Sequence, residues 1–281
     1  MQVAILAKQY SERAAEAACL VHSWLVERGH QVRVDEHVAG TTGLTPSFAR
    51  GDLAKEADLA VVLGGDGTLL LGARVFSPSG VPILGINLGR LGFLTDTDSV
   101  HMLSVLESVV AGDYEIDERL MLQGEVLRGE TVLGSSSALN DIVVNKGALA
   151  QVIGLETRVN QQLVSSYLAD GIIFSTPTGS TAYGLAVGGP IVAPNTEVML
   201  VAPICPHMLT NRPLILSADS TVDCIIAEAR GEIYLTIDGQ EGFPLLPGDR
   251  IRVRSAEHRA RLVKVRSHDF FEILRTKMGW G

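Results

Sequence analysis

Residues 58–71 read Asp-Leu-Ala-Val-Val-Leu-Gly-Gly-Asp-Gly-Thr-Leu-Leu-Leu. The unbroken apolar run at 59–63 has the length and the Ala, Val and Leu content of a strand buried on both faces. Such strands occur in parallel sheets with both faces covered. The run stops at Gly64-Gly65-Asp66-Gly67, and a second apolar run at 69–71 opens a helix. In an open parallel sheet, ligands bind at the turns leaving the carboxyl ends of the strands. Glycines there let backbone N–H groups approach a phosphate closely. Asp66 is out of place in a purely phosphate-binding loop, because a carboxylate repels phosphate. It holds a metal, accepts a hydrogen bond from a hydroxyl, or takes the proton of one. An ordinary turn with a capping Asp is the plain alternative.

The rest of the first third alternates strand and helix. Residues 2–7 read as a strand, and Ser11 caps a helix over 12–28 whose Ala15, Ala18, Val21 and Leu25 recur at helical spacing. Residues 31–34 form a second strand, 41–52 a loop or short helix, 81–86 another strand and 99–111 a helix. This βαβ alternation predicts a Rossmann-like parallel α/β domain over residues 1–115. After the strand at 81–86 comes Asn87-Leu88-Gly89-Arg90-Leu91-Gly92-Phe93-Leu94, an Asn-x-Gly-x-x-Gly loop within reach of Asp66 if the two strands are neighbours.

Near residue 117 the pattern changes to short strand-like segments separated by turn residues, the last at 262–265. The expectation is an antiparallel β-sandwich over residues 116–266, followed by an amphipathic tail helix at 267–281 that packs back onto the first domain. Polar groups that strand formation does not explain cluster at Asn140-Asp141, Asp170-Gly171, the hydroxyl-rich stretch from Ser175 to Tyr183, and Asp238-Gly239-Gln240. An Asn amide can read the edge of an adenine, and a neighbouring carboxylate can accept ribose hydroxyls. The hydroxyls can cap a helix and turn backbone donors toward an anion; a solvated surface loop is the alternative.

Several functional classes are excluded. The chain has 281 residues, 46% of them hydrophobic, enough for a full core, and a formal net charge of −9, which argues against a nucleic-acid binder. Cys19, Cys205 and Cys224 are far apart and form no CxxC pair, so each reads as a small core residue and a reducing cytoplasm fits. Neither a signal peptide nor an 18-residue apolar stretch is present, so no membrane association is expected. Residues 179–184 have the outer glycines of a P-loop but continue Leu185-Ala186 where Lys-Ser/Thr is required, and no Gly-x-Ser-x-Gly elbow or metal-ligand spacing occurs.

Taken in order, these motifs resemble the bacterial NAD kinases, in the wider superfamily that includes lipid kinases and phosphofructokinases. The glycine stretch at Gly64–Thr68 is shared with the lipid kinases. The Ser175–Tyr183 loop together with Asn140-Asp141 is far more specific. The resemblance implies transfer of the terminal phosphate of ATP to the 2′-hydroxyl of the adenosine ribose of NAD, giving NADP, with a divalent metal, usually magnesium. It implies Asp66 as the general base with Gly67 beside it, and Gly64, Gly65, Gly67 and Thr68 as the phosphate loop. Asn140 would read adenine and Asp141 its ribose, while Asp170 would bind the nicotinamide-side ribose. Thr181, Ala182 and Tyr183 would line the NAD pocket, with Phe93 near the adenine, Gln240 at its edge and Gln151 at another polar position. Assembly as a homodimer or homotetramer through the second domain is also implied. The chain departs from the family pattern at Asp141, where Glu is usual, at Ala186, where Ser is frequent, and at Leu168, where many members carry a basic residue. A related kinase acting on a lipid or other alcohol would share Gly64–Thr68 but has no use for Asn140. A non-catalytic dinucleotide-binding regulator would need no carboxylate at Asp66.

Overall fold

The computed structural model describes residues 1–89, 92–95, 97–148, 151–265 and 269–280. Arg90 and Leu91 of the second glycine loop, and Ser267, His268 and Gly281 of the tail, lie outside the described residues. The chain divides into two compact units, Met1–Glu118 with Arg259–Gly281, and Arg119–His258.

The first unit runs β1 (Gln2–Ala7), α1 (Glu12–Glu27), β2 (Gln31–Asp35), α2 (Glu36–Thr42), β3 (Ser47–Phe48), α3 (Arg50–Leu53), β4 (Leu59–Gly64), α4 (Asp66–Phe76), β5 (Ile83–Asn87), β6 (Thr97–Asp98), α5 (Met102–Val110) and β7 (Glu115–Arg119). The second unit continues with β8 (Leu122–Arg128), β9 (Thr131–Ala138), β10 (Asp141–Lys146), β11 (Ile153–Val159), β12 (Gln162–Ala169), β13 (Gly171–Ser175), α6 (Tyr183–Ala186), β14 (Val198–Ile204), β15 (Leu214–Ser217), β16 (Val222–Glu228), β17 (Ile233–Ile237), β18 (Glu241–Leu245) and β19 (Arg250–Ser255). β20 (Ala260–Lys264) and α7 (Phe270–Met278) close the first unit.

In the first unit the sheet order is β3-β2-β1-β4-β5-β20-β7, with β6 beside β5. β1 pairs parallel with both β2 and β4, and β4 with β5. Every residue of β4 is buried, as its unbroken apolar run predicts. Ser11 accepts the Ala14 N–H and starts α1, whose Ala14, Ala18, Val21 and Leu25 pack on the sheet with Val105, Leu106 and Val109 of α5. From β1 the chain moves outward to β2 and β3, then returns to place β4 on the other side of β1. The order therefore reverses between β1 and β4, where α/β sheets open a ligand crevice.

The second unit contains two six-stranded sheets, β15-β14-β13-β10-β17-β18 and β12-β11-β16-β19-β8-β9, with antiparallel neighbours. Alternate residues from both sheets, among them Ile142, Val144, Ile172, Phe174, Leu155, Cys224 and Ile251, make one core, the arrangement of a β-sandwich.

Four expectations change. The strand-like segment near 262–265 is β20, which pairs parallel with β5 through Leu262 and Ile83, so it lies in the first unit and not in the second domain. A single strand's pattern reports burial and not the identity of its neighbour. α2 goes unmarked in the sequence, because its short segment Glu-His-Val-Ala-Gly-Thr-Thr has weak helix formers and no side-chain cap. α4 begins at Asp66 itself, with Gly65 as its N-cap, so Asp66-Gly67 opens the helix instead of ending the turn. Cys224 is a core residue, but Cys205 is exposed in a turn after β14 with φ 45° and Cys19 is half-buried.

Candidate active site

In the first unit, the carboxyl ends of β4 and β5 lie side by side with Gly64 opposite Asn87. The Leu88 N–H donates to the Gly64 carbonyl at 2.8 Å, and the Asn87 Oδ1 accepts the Gly89 N–H at 2.8 Å. Asp66 stands at the first position of α4, where the helix dipole favours a carboxylate. Its Oδ2 accepts the Phe93 N–H at 2.7 Å. Its Oδ1 accepts the Leu94 N–H at 3.1 Å and the Thr95 hydroxyl at 3.2 Å. A carboxylate has about four acceptor positions, so these three bonds leave one for a substrate hydroxyl. Asp66 thus has a structural use that the sequence did not reveal: it ties the start of α4 to the segment after β5. Gly92 makes this possible, since a Cβ there would run into the Asp66 carboxylate and the Thr95 hydroxyl. Gly64 is required for the same kind of reason, because a Cβ there would collide with the Thr68 side chain. Phe93 is half-buried, with the Lys277 ammonium 5.8 Å from its ring centre.

Beside this loop is a crevice of about 250 Å³ at the reversal point of the strand order. Gly64 and Gly65 come to it from β4, Asn87 and Gly89 from β5, and Lys8, Ser11 and Arg13 from the segment after β1. Two cations, Lys8 and Arg13, and the side-chain-free backbone of Gly64, Gly65 and Gly89 make it suited to a polyphosphate. Lys8 and Arg13 carried no signal in the sequence, because isolated basic residues near a strand end are commonplace. A larger open depression of about 580 Å³ lies in the second unit, but Arg252 and Arg254 there are paired with Asp223 and Glu125 at 3.0 and 3.2 Å. Its charges are matched within the protein and leave nothing to recognise a charged ligand.

In the second unit, Asn140 and Asp141 sit where β10 begins, and Asp141 pairs with Ser175 at the end of β13. Hydroxyls of the Ser175–Tyr183 stretch are spent on the backbone. The Thr176 hydroxyl donates to the Leu139 carbonyl at 2.6 Å and accepts the Gly179 N–H at 3.0 Å. The Ser175 hydroxyl donates to the Asn140 carbonyl at 3.2 Å, and Ser180 joins Pro177 to Val192. Ser175, Thr176, Thr178 and Ser180 are buried. The stretch is neither a solvated loop nor a row of anion donors; its hydroxyls give it a fixed shape. Thr181, Ala182 and Tyr183 emerge from it partly or fully exposed, and Ala186 is exposed at the end of α6.

Asp170 precedes β13 at the opposite end of the β10–β13 pair. Four residues separate the Asp141–Ser175 pair from the Asn145–Gly171 pair, roughly 14 Å at 3.4 Å per residue. Lys146 at the end of β10 reaches the Asp170 carboxylate at 3.0 Å, and its N–H donates to the Asp170 carbonyl at 3.0 Å. Leu168, where many relatives carry a basic residue, is exposed, and the ion pair to Asp170 comes from Lys146 on the neighbouring strand. Burial first, then the charges of Cys205, Asp141 and Asp170, push the Tyr183 hydroxyl up from its usual range. That places Tyr183 in the field of both carboxylates. Burial and then the negative Asp238 push the Asp141 carboxyl up to about 7. Gln240 closes the β17–β18 turn by donating its N–H to Ile237 at 2.9 Å. Gln151 lies elsewhere in the unit, its N–H donating to the Arg230 carbonyl at 3.3 Å.

Comparison with known proteins agrees with these features. Residues 3–114 match the ATP-NAD kinase N-terminal domain, and residues 139–265 match the ATP-NAD kinase C-terminal domain. The chain is 45% identical over 280 residues to a NAD kinase of Geotalea daltonii and 47% identical over 283 residues to one of Geobacter metallireducens, covering 100% of this chain and 99% of each relative. Among solved structures it resembles a yeast NADH kinase complexed with NADH, with a TM-score of 0.87, 27% identity and coverage of 100% of this chain and 88% of that one. It also resembles a NAD kinase from Archaeoglobus fulgidus in complex with ATP, with a TM-score of 0.73, 25% identity and 99% coverage of both chains. With both domain models matched in order and full-length relatives at this level of identity, the chain belongs to the ATP-NAD kinase family.

Proposed function

We propose that Asp66 is the carboxylate that receives the proton of the acceptor hydroxyl in the reaction of this chain. The reaction itself is that of the family: the enzyme is a phosphotransferase that moves the terminal phosphate of ATP to the 2′-hydroxyl of the adenosine ribose of NAD, giving NADP. The observation that carries the assignment is the three-donor hold on Asp66, which leaves an acceptor position on a carboxylate already fixed at the head of α4. Phosphoryl transfer passes through a loose transition state, so a fixed acceptor and nearby positive charge matter more than strong basicity.

The crevice beside Gly64 and Gly65 receives the phosphates of ATP, with Lys8 and Arg13 offsetting their charge. Gly67 and Thr68 complete that loop. In the second unit, Asn140 reads the adenine, Asp141 the adenosine ribose and Asp170 the second ribose. Supporting this is the placement of Asp141 and Asp170 at opposite ends of the β10–β13 pair, with Tyr183 in the field of both carboxylates. Thr181, Ala182 and Tyr183 line the pocket between those ends. Phe93, Gln151, Leu168, Ala186 and Gln240 are peripheral contacts.

Among the described residues no group of three His, Cys, Asp or Glu side chains is arranged to hold a metal. The described residues thus form no cage for an ion. Magnesium is proposed instead as an ion carried on the phosphates of ATP. A homo-oligomer is proposed through the second unit, where β9 and β12, the two edges of one sheet, expose Val132, Leu133, Leu163 and Val164. Free cysteines at positions 19, 205 and 224 are compatible with a cytoplasmic setting. No helix among the described residues is long and apolar enough to cross a membrane.

The test is NADP formation from NAD, ATP and magnesium by the purified protein, with Asp66→Asn in parallel. The variant should bind NAD and lose at least about 10²-fold in turnover. Undiminished turnover would remove Asp66 from the proton-accepting role.

A further inference from the structure

Asp238 stands first of the three residues joining β17 to β18, at φ 49°, and with Gly239 at φ 64° it forms the centre of a turn closed by the Gln240 N–H on the Ile237 carbonyl. Both values lie in the left-handed region that this hairpin turn requires. Asp tolerates that region better than most residues. The conformation aims its side chain away from the turn and into the protein, where Asp238 is only 8% exposed. There the carboxylate meets three consecutive backbone donors of the segment entering β10. Oδ1 accepts the Asn140 N–H at 2.8 Å and the Asp141 N–H at 3.1 Å, and Oδ2 accepts the Leu139 N–H at 3.1 Å. The Asp238 N–H in turn donates to the Asp141 carbonyl at 2.9 Å.

The same short segment is gripped from its other side. The Asn140 carbonyl accepts the Thr176 N–H at 2.9 Å and the Ser175 hydroxyl, and the Leu139 carbonyl accepts the Thr176 hydroxyl. Gly179 lies so close to the Asn140 carbonyl that a Cβ would strike it. Every backbone donor of residues 139–141 is thus held by one carboxylate, and the Leu139 and Asn140 carbonyls are held by a buried hydroxyl loop. What remains free to face a ligand is the half-buried Asn140 side chain.

We infer that Asp238 is a positioning residue for nucleobase recognition: its carboxylate fixes the backbone of residues 139–141 so that the Asn140 amide meets the adenine edge in one orientation. The inference rests on the reading of Asn140 as the adenine contact. A bidentate amide contact requires its donor and acceptor to be placed together, so a loosened backbone loses discrimination before it loses chemistry. Asp238 sits far along the chain from the segment it holds, and a carboxamide cannot replace it, since an Asn offers one acceptor oxygen to three donors.

The experiment compares NAD with nicotinamide hypoxanthine dinucleotide, in which the adenine amino group is a carbonyl. The kcat/KM ratio for the two substrates is measured in the intact enzyme, Asn140→Ala, Asp238→Asn and Asp238→Glu. Asn140→Ala should bring the ratio close to one. Asp238→Asn should lower it by at least fivefold, raise the KM for NAD about tenfold and change kcat by less than threefold. If Asp238→Asn does not fold, Asp238→Glu, which keeps both acceptor oxygens one methylene out of place, carries the same expectation. A separate measurement needs no variant: amide exchange at residues 139–141 of the intact enzyme should be strongly protected.

If Asn140→Ala collapses the ratio while every folded Asp238 variant keeps it, the positioning role is overturned and the adenine assignment stands. If Asn140→Ala leaves the ratio intact, the adenine assignment itself has failed. Free exchange of the three amides overturns the positioning role whatever the variants do. A kcat loss in Asp238→Asn with the substrate ratio preserved also overturns it, because that pattern belongs to a general structural defect.

Discussion

Burial and the neighbouring Asp238 carboxylate hold the Asp141 proton up to about pH 7, against an ordinary value of 3.8. Between those two values the folded protein binds a proton that the unfolded chain releases, so stability falls as the pH rises through that window. Below about pH 4 the group is neutral in both states and costs nothing; above about pH 7 it is ionised in both and the full cost is present. Asp141→Asn removes the ionisable group. Thermal melting should therefore show the variant more stable than the parent at pH 8, by up to about 4 kcal/mol, with the gain disappearing toward pH 4. A pH-independent difference would show that Asp141 is not the titrating group. The one-methylene shortening at this position was plain in the sequence, but its electrostatic setting was not. Asp238 is 97 residues away, and its approach depends on the turn that aims it.

The junction of β4, α4 and the segment after β5 is where backbone packing meets the chemistry proposed for Asp66. A methyl group at Gly92 would occupy the space of the Asp66 carboxylate. Gly92→Ala should therefore lower NADP formation at least about tenfold through displacement of Asp66, while destabilising the fold by about 1–3 kcal/mol. Steady-state turnover with a parallel denaturant titration checks both; full activity would mean that the Asp66 position is less constrained than its three bonds imply. Neighbourhood of the two glycine loops was legible as a conditional statement, and the β4–β5 pairing supplies the condition. The hydroxyl-rich stretch was legible as special but not in its role. Its composition fits a surface loop or an anion cradle equally well, and only burial shows that Thr176 and Ser180 are bonded inward. Lys146 carries no signal in the sequence, because a lysine closing a strand reads as a solvated end; the antiparallel register of β10 with β13 brings it to Asp170.

At the scale of the molecule, the carboxyl-terminal segment returns to the first unit twice. β20 joins its sheet next to β5, and α7 belongs to the same unit with Leu274 buried. β20 is further anchored by Lys264, 2.9 Å from Asp117. Removing residues 266–281 would strip away the burial of Leu274, worth about 1.5–3 kcal/mol, and the cation over Phe93. The truncated protein should melt at least about 3 °C lower and give less soluble material. An unchanged yield and melting temperature would show that the helix contributes nothing to the unit.

By itself the sequence determined the classes of structure and the chemistry on offer. An unbroken apolar run before Gly64 specified a buried parallel strand, helical spacing after Ser11 specified α1, and alternating short runs beyond residue 117 specified antiparallel sheets. The ordered motifs from Asp66 to Gln240 marked the family and the candidate site residues. Tertiary structure alone decided who meets whom: residues 93–95 at Asp66, residues 139–141 at Asp238, Lys146 at Asp170, and β20 at β5. Periodicity and turn chemistry act over a few residues along the chain. Strand order and register act between segments 24 to 179 residues apart, and they are chosen by burying both faces of a sheet at once.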